Sequence, residues 1–176
     1  MRISGLVVER HGTTLTGMET TTTVEPPQDS TIPAVPQSQS TLHALHCGCF
    51  ACGASNPVGL RLEYSLSEEG IATAKWEPSA DFRSYEDRIH GGVLATLLDG
   101  VMVHALFATG VVGVTAELTI RYLQSVEVGV PVEVTGWVKS SRFGIHLCAA
   151  EIRQANKLAV KASAKFMAIK ASSAAQ

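Results

Sequence analysis

Between residues 91 and 108 the aliphatic side chains fall at Leu94, Leu97, Leu98, Val101, Ala105 and Leu106, the i, i+3, i+4, i+7 spacing of a helix with one face in a core. The spacing predicts a helix from about Gly91 to Ala108 that ends at Gly110. On both sides of it the period changes to two. Leu60, Leu62, Tyr64 and Leu66 alternate with Arg61, Glu63 and Ser65, and a turn at Glu68-Glu69-Gly70 leads into a second strand from Ile71 to Trp76, which makes a hairpin. Pro78 to Arg88 is polar and irregular and reads as a loop. After the helix come Val114 to Leu123, with Leu118, Ile120 and Tyr122 on one face, and Val130 to Lys139, with Val130, Val132, Val134 and Val138. Phe143 to Ile152 follows with Phe143, Ile145, Leu147 and Ala149, then Val160 to Ile169 with Ala162, Ala164 and Phe166. The turns Glu127-Val128-Gly129, Ser140-Ser141-Arg142 and Ala155-Asn156-Lys157 suit an antiparallel meander. The expected class is α+β: an antiparallel sheet of about six strands wrapped around one long helix.

Residues 1 to 45 break this patterning. They are rich in Thr, Ser, Pro and Gln, through Thr20-Thr21-Thr22-Thr23 and Ile32-Pro33-Ala34-Val35-Pro36, and are read as a flexible tail. Ile3 to Val8 could form a short strand but has no visible partner. The folded domain is expected over 46–170, with a small polar tail at 171–176. A formal charge of -2 and a pI near 6.3 leave no basic field for nucleic acid and no polybasic membrane patch. The apolar run from Val93 to Val114 is long enough to raise a membrane span, but Asp99, His104 and the glycines at 100, 110 and 113 interrupt it. No basic segment followed by an apolar one opens the chain, and its four cysteines read as reduced thiols, so a cytoplasmic location is expected.

Candidate chemistry sits in two places. His46, Cys47, Cys49 and Cys52 crowd a turn-rich segment that runs on to Leu60 and invite a zinc reading. A structural zinc wants a second, separated pair of ligands, and none follows at finger spacing, so small thiols packed in a tight loop are the preferred account and no metal is expected. The second place is Asp99. At 100° per residue it shares a helix face with Gly92, Ala95, Met102 and Leu106, and from Ile89 to Ala116 the chain holds no other charged carboxylate, lysine or arginine. A carboxylate dried out without a partner is costly, which points to chemistry. The plain alternative is that Asp99 faces water from an exposed side of the helix.

Three motifs follow one another along the chain: Cys49-Phe50-Ala51-Cys52-Gly53 with Asn56-Pro57-Val58-Gly59-Leu60, then His90-Gly91-Gly92 with Asp99 nine residues after the histidine, then Gly113-Val114-Thr115-Ala116-Glu117-Leu118. Together they resemble the hotdog-fold thioesterases, in the PaaI-like branch of the 4-hydroxybenzoyl-CoA thioesterase superfamily, over about residues 46 to 169. The resemblance implies a hotdog fold and hydrolysis of an acyl-CoA or related thioester without metal or organic cofactor. It also implies a homodimer, or a dimer of dimers, in which the glycines of one helix face the carboxylate and hydroxyl of the other chain. On this reading the Gly91 amide, at the positive end of a helix dipole, polarises the thioester carbonyl, and Gly92 lies beside the substrate. Asp99 acts as general base or nucleophile, Thr115 hydrogen-bonds the water or the carboxylate, and His90 positions. Read alone, Thr115 is an ordinary strand threonine and His90 an ordinary cap. Some relatives hold the lytic water with an Asn six residues before the histidine; here that position is Ser84, with Glu86 and Asp87 nearby as substitutes or as solvated loop charges. Lys139 and Arg142 flank two serines and could meet CoA phosphates, although a solvated hairpin tip explains them as well. Met102, Leu106, Phe82 and Tyr85 are candidates for the acyl pocket, and His104 and His146 are read as packing or surface histidines. A binding module that holds acyl-CoA without turning it over is the competing function.

Overall fold

The helix that organises the chain, α1 (Gly91–Ala108), has the bounds its spacing predicts and is the core of the computed structural model, which describes residues 46–169. The tails read at 1–45 and 171–176, and the strand at Ile3 to Val8, lie outside the described residues. Among the described residues eight strands accompany the helix: β1 (Tyr64–Leu66), β2 (Ala72–Trp76), β3 (Arg83–Tyr85), β4 (Arg88–Ile89), β5 (Gly113–Tyr122), β6 (Val132–Arg142), β7 (Ile145–Gln154) and β8 (Lys157–Ala168). Six of them form one antiparallel sheet in the order β1-β2-β6-β7-β8-β5, and β3 with β4 forms a separate ribbon. Leu97, Leu98, Val101 and Met102 of α1 have no solvent exposure, and each such side chain contributes about 1.5–3 kcal/mol by leaving water. The helix can lie this close to the sheet because residue 136 of β6 is glycine: a Cβ there would stand 2.8 Å from Val101 Cγ1.

The expectation of a single buried helix face is corrected. Every position from Gly100 to Phe107 is buried, because the sheet covers one side and the cysteine-rich segment covers the other. Ala51 packs on Gly100, where an added Cβ would lie 3.1 Å from Ala51 Cβ, and the His46 ring meets Phe107 edge-on at 4.9 Å. The only open stripe on α1 runs through Gly92, Ala95, Thr96 and Asp99 and stops there. This helix is long and apolar enough to cross a membrane, and it is instead the buried core helix of the domain.

Four further expectations change. The meander holds only for β6, β7 and β8; β5 pairs with β8 at the far edge, so the segment at Glu127-Val128-Gly129 is a crossover and not a hairpin turn. The β6–β7 turn is Phe143-Gly144, both at positive φ, and not Ser140-Ser141-Arg142. That shift reverses the buried face of β7: His146, Cys148, Ala150 and Ile152 point into the core, while Phe143, Ile145 and Leu147 are exposed. The first strand is shorter than its alternation suggests, because Arg61 takes a positive φ of 53° and Leu60 and Leu62 bond back to the Phe50 and Ala51 carbonyls. The loop before α1 is more ordered than its polarity suggests, with a 3-10 turn at Ala80–Phe82 and the β3–β4 ribbon.

Candidate active site

The N-terminus of α1 is capped from its own sequence. His90 sits in extended backbone at the N-cap, and its Nδ1 accepts the Gly92 N–H at 2.9 Å. That bond makes Nδ1 an acceptor, so the ring is neutral with its proton on Nε2. Glycine at 92 leaves room for the cap, since a Cβ there would come within 3.1 Å of His90 Nδ1. The Val93 and Leu94 amides go to the His90 carbonyl. The Gly91 N–H is therefore the first-turn donor left without an acceptor among the described residues. The Gly91 carbonyl accepts the Tyr122 hydroxyl at 2.9 Å, which ties this end of the helix to β5. A groove of about 350 Å³ opens here, lined among others by Ser84, Tyr85, Arg88, Gly91 and Tyr122.

Asp99 lies two turns further on, half-buried at the end of the open stripe. Its Oδ1 accepts the Thr115 hydroxyl at 2.7 Å, a short charge-assisted bond. Thr115 reaches it from edge strand β5, beside the bulge that leaves Ala116 without a ladder partner. The carboxylate opens on a second cavity of about 160 Å³ lined by Thr96, Gly100, Val103, His104 and residues 46 and 49–52. Tyr64 stacks on His104 at 3.9 Å between centroids, and its buried hydroxyl has no partner among the described residues. Burial, then the nearby Cys52, Cys49 and Asp99, push the Tyr64 phenol well above its ordinary value. Burial and the neighbouring Cys49 hold the Cys52 thiol up at about 12.

The sequence-predicted residues thus fall into two groups. Asp99 and Thr115 meet directly, whereas His90, Gly91, Gly92 and Ser84 gather at the other end of α1, eight residues or about 12 Å along the axis. The Gly92 amide is already satisfied by His90. Lys139 and Arg142 lie at the exposed end of β6 and line neither cavity; the Arg142 guanidinium rests on the Phe143 ring at 4.7 Å. Asp87 pairs with Arg88 at 3.3 Å. Met102 and Leu106 are fully buried, Phe82 packs against Trp76, and Tyr85 is exposed beside the first groove. His104 and His146 are both buried, His146 bonding Ser141 at 2.8 Å through Nδ1. The sequence reading missed Tyr122 and Tyr64 as neighbours of the two cavities. No local spacing signals either, because each reaches its site across the fold.

The family profile described as the thioesterase superfamily matches residues 87–157, from the loop before α1 through β7. No curated protein matches the chain. A solved thioesterase superfamily protein is 25% identical, with a TM-score of 0.64, over 66% of this chain and 61% of that one, so the chain spans less than two thirds of that relative's length. The Escherichia coli PaaI protein, from the phenylacetic acid degradation operon, is 22% identical with a TM-score of 0.60, over 63% of this chain and 81% of its own. A Streptococcus mutans protein solved bound to acetyl-CoA is 20% identical with a TM-score of 0.58, over 61% of this chain and 88% of its own. With one helix wrapped by a six-stranded antiparallel sheet, the chain has the hotdog fold that PaaI shares, and its residues 87–157 are similar to the thioesterase superfamily.

Proposed function

We propose that the protein hydrolyses an acyl-CoA thioester to a carboxylic acid and free CoA. The observation that carries this reading is the 2.7 Å bond from Thr115 to Asp99 at the one open stretch of an otherwise buried helix. A pure binding module has no need of an oriented carboxylate there. Thr115 engages Oδ1 and leaves Oδ2 to take a proton from water as the water attacks the thioester carbonyl. The carbonyl oxygen gains negative charge, which the Gly91 N–H stabilises, and the C–S bond then breaks to release the thiolate of CoA. Direct attack by Asp99 would instead form a mixed anhydride with loss of CoA thiolate, and water attacking the Asp99 carbonyl of that anhydride would leave solvent ¹⁸O in the Asp99 carboxylate after a single turnover. The acetyl-CoA bound to the Streptococcus mutans protein supports a CoA ligand for this fold. The proposed step uses only side chains, one backbone amide and water.

A homodimer belongs to the same proposal. Gly91 and Asp99 of one chain are too far apart to serve one carbonyl, so each composite site takes Gly91 from one subunit and Asp99 with Thr115 from the other. Supporting it, β5 is a ten-residue edge strand carrying Thr115 together with exposed Val114 and Tyr122, with exposed Leu123 just beyond it. A cytoplasmic location completes the reading, in keeping with four free thiols. The test is a panel of aryl and fatty acyl-CoAs followed by release of free thiol. Turnover of at least one member that falls about a hundredfold or more in Asp99→Asn is expected. Tight binding of acyl-CoA with no thiol released from any member would refute hydrolysis and favour the binding module.

A further inference from the structure

Three metal-binding side chains from two distant parts of the chain converge beside the Asp99 cavity. Cys52 Sγ lies 3.8 Å from His46 Nδ1 and 3.3 Å from His104 Nε2. The three ligand atoms all fall within 4.8 Å of one another. A tetrahedral zinc with Zn–S near 2.3 Å and Zn–N near 2.05 Å has S···N edges of about 3.6 Å, which the two measured S···N distances bracket. Cys49 is the candidate fourth donor: it lines the same cavity and, standing outside the converged trio, would join it by turning its side chain toward Cys52. The loop that carries both, Cys49-Phe50-Ala51-Cys52-Gly53, closes on itself through the Gly53 N–H and the Cys49 carbonyl at 2.8 Å, so both thiols hang from one tight turn.

We propose that His46, Cys49, Cys52 and His104 bind one zinc ion per chain. Two thiolates and two imidazoles in a closed set are the donors that structural zinc sites use, and the metal displaces the two thiol protons on binding. The second pair that finger spacing fails to supply is met here by the fold. His104 comes from α1, fifty-two residues after Cys52, and His46 from the start of the described chain. The ion cross-links the cysteine-rich segment to the core helix, and so braces the wall that faces Asp99. It lies outside the hydrolytic step, so this inference stands or falls without the proposed activity.

The test is spectroscopic and uses the full chain, reduced and stripped by a chelator, then titrated with Co²⁺ and with Zn²⁺. One equivalent of Co²⁺ is expected to give the intense visible bands of tetrahedral cobalt and a sulfur-to-metal charge-transfer band. Zn²⁺ should bleach both and raise Tm. In Cys49→Ser the charge-transfer band should drop to about half, and in Cys52→Ser and His104→Gln the tetrahedral bands should be lost. Weak octahedral cobalt absorption in the wild-type chain would overturn the proposal, as would tetrahedral bands that survive Cys52→Ser. So would a Cys49–Cys52 disulfide in the purified protein whose reduction yields no metal uptake. The wild-type titration decides the matter even if a variant fails to fold.

Discussion

Replacing Gly91 by proline removes one hydrogen-bond donor and little else. Gly91 is the first residue of α1, where proline's fixed φ suits a helix and its missing N–H breaks no internal bond, because that N–H has no acceptor among the described residues. The residue before a proline must be extended, and His90 already is, at φ -63° and ψ 131°. An added Cβ meets the Tyr122 ring at 3.4 Å, an ordinary contact. Stability should therefore be unchanged or rise by up to about 1 kcal/mol through the stiffer unfolded chain. Loss of an oxyanion donor costs about 2.7–4 kcal/mol in the transition state, so kcat should fall about 10²- to 10³-fold with KM little altered. Gly91→Ala, which keeps the N–H, should retain most of the activity. The assay is thiol release under saturating acyl-CoA, with thermal unfolding alongside. A folded Gly91→Pro enzyme with kcat within about threefold of wild type would refute the assignment of this amide.

The other expectations follow from single contacts. Thr115→Val removes the hydroxyl that Asp99 accepts, a charge-assisted bond of about 1.5–3 kcal/mol, so Tm should fall by a few degrees and kcat/KM by about tenfold or more; unchanged kinetics would make Thr115 an ordinary strand residue. Gly100→Ala places a Cβ 2.5 Å from Tyr64 Oη and 3.1 Å from Ala51 Cβ, so urea unfolding should show a loss of about 1–3 kcal/mol, and a neutral result would mean that neither Tyr64 nor Ala51 presses on α1 there. His146 is buried, and burial lowers its pKa, so the folded state holds it neutral. The unfolded chain then binds more protons as pH falls through the ordinary histidine range near 6.5, and stability that is complete above that range is lost below it. Denaturation followed between pH 7.5 and 5 should show this acid slope, shallower in His146→Gln.

How far the sequence could carry the structure depends on which residues did the signalling. The helix was legible to the residue because Leu94, Leu97, Leu98 and Val101 repeat at a helical period inside a run without breakers. The buried face of β7 was not, because the residues packed under the helix are the small or polar His146, Cys148 and Ala150, while Ile145 and Leu147 face outward. Alternation shows that a strand has two faces; it does not say which one a helix will cover. The edge position of β5 was hidden for a related reason, since strand order is set by pairings such as Leu118 with Ala164 that are remote in sequence. Asp99 stood out as the lone carboxylate of its run, whereas its bond to Thr115 followed only from the family resemblance. Cys52 and His104 are brought together by Ala51 packing on Gly100, a contact that no spacing rule reaches.

Subunit complementation tests the composite site most directly. Gly91→Pro and Asp99→Asn chains, each inactive as pure oligomers, are to be mixed, unfolded together and refolded, and assayed for thiol release. If each site takes Gly91 from one chain and Asp99 from its neighbour, half of the dimers are mixed and one of the two sites in each is intact, so activity should return to about a quarter of wild type. If both residues act within one chain, every site in every mixture carries a lesion. Activity that stays at the level of the two parents, in a sample shown to contain mixed dimers, would contradict the account.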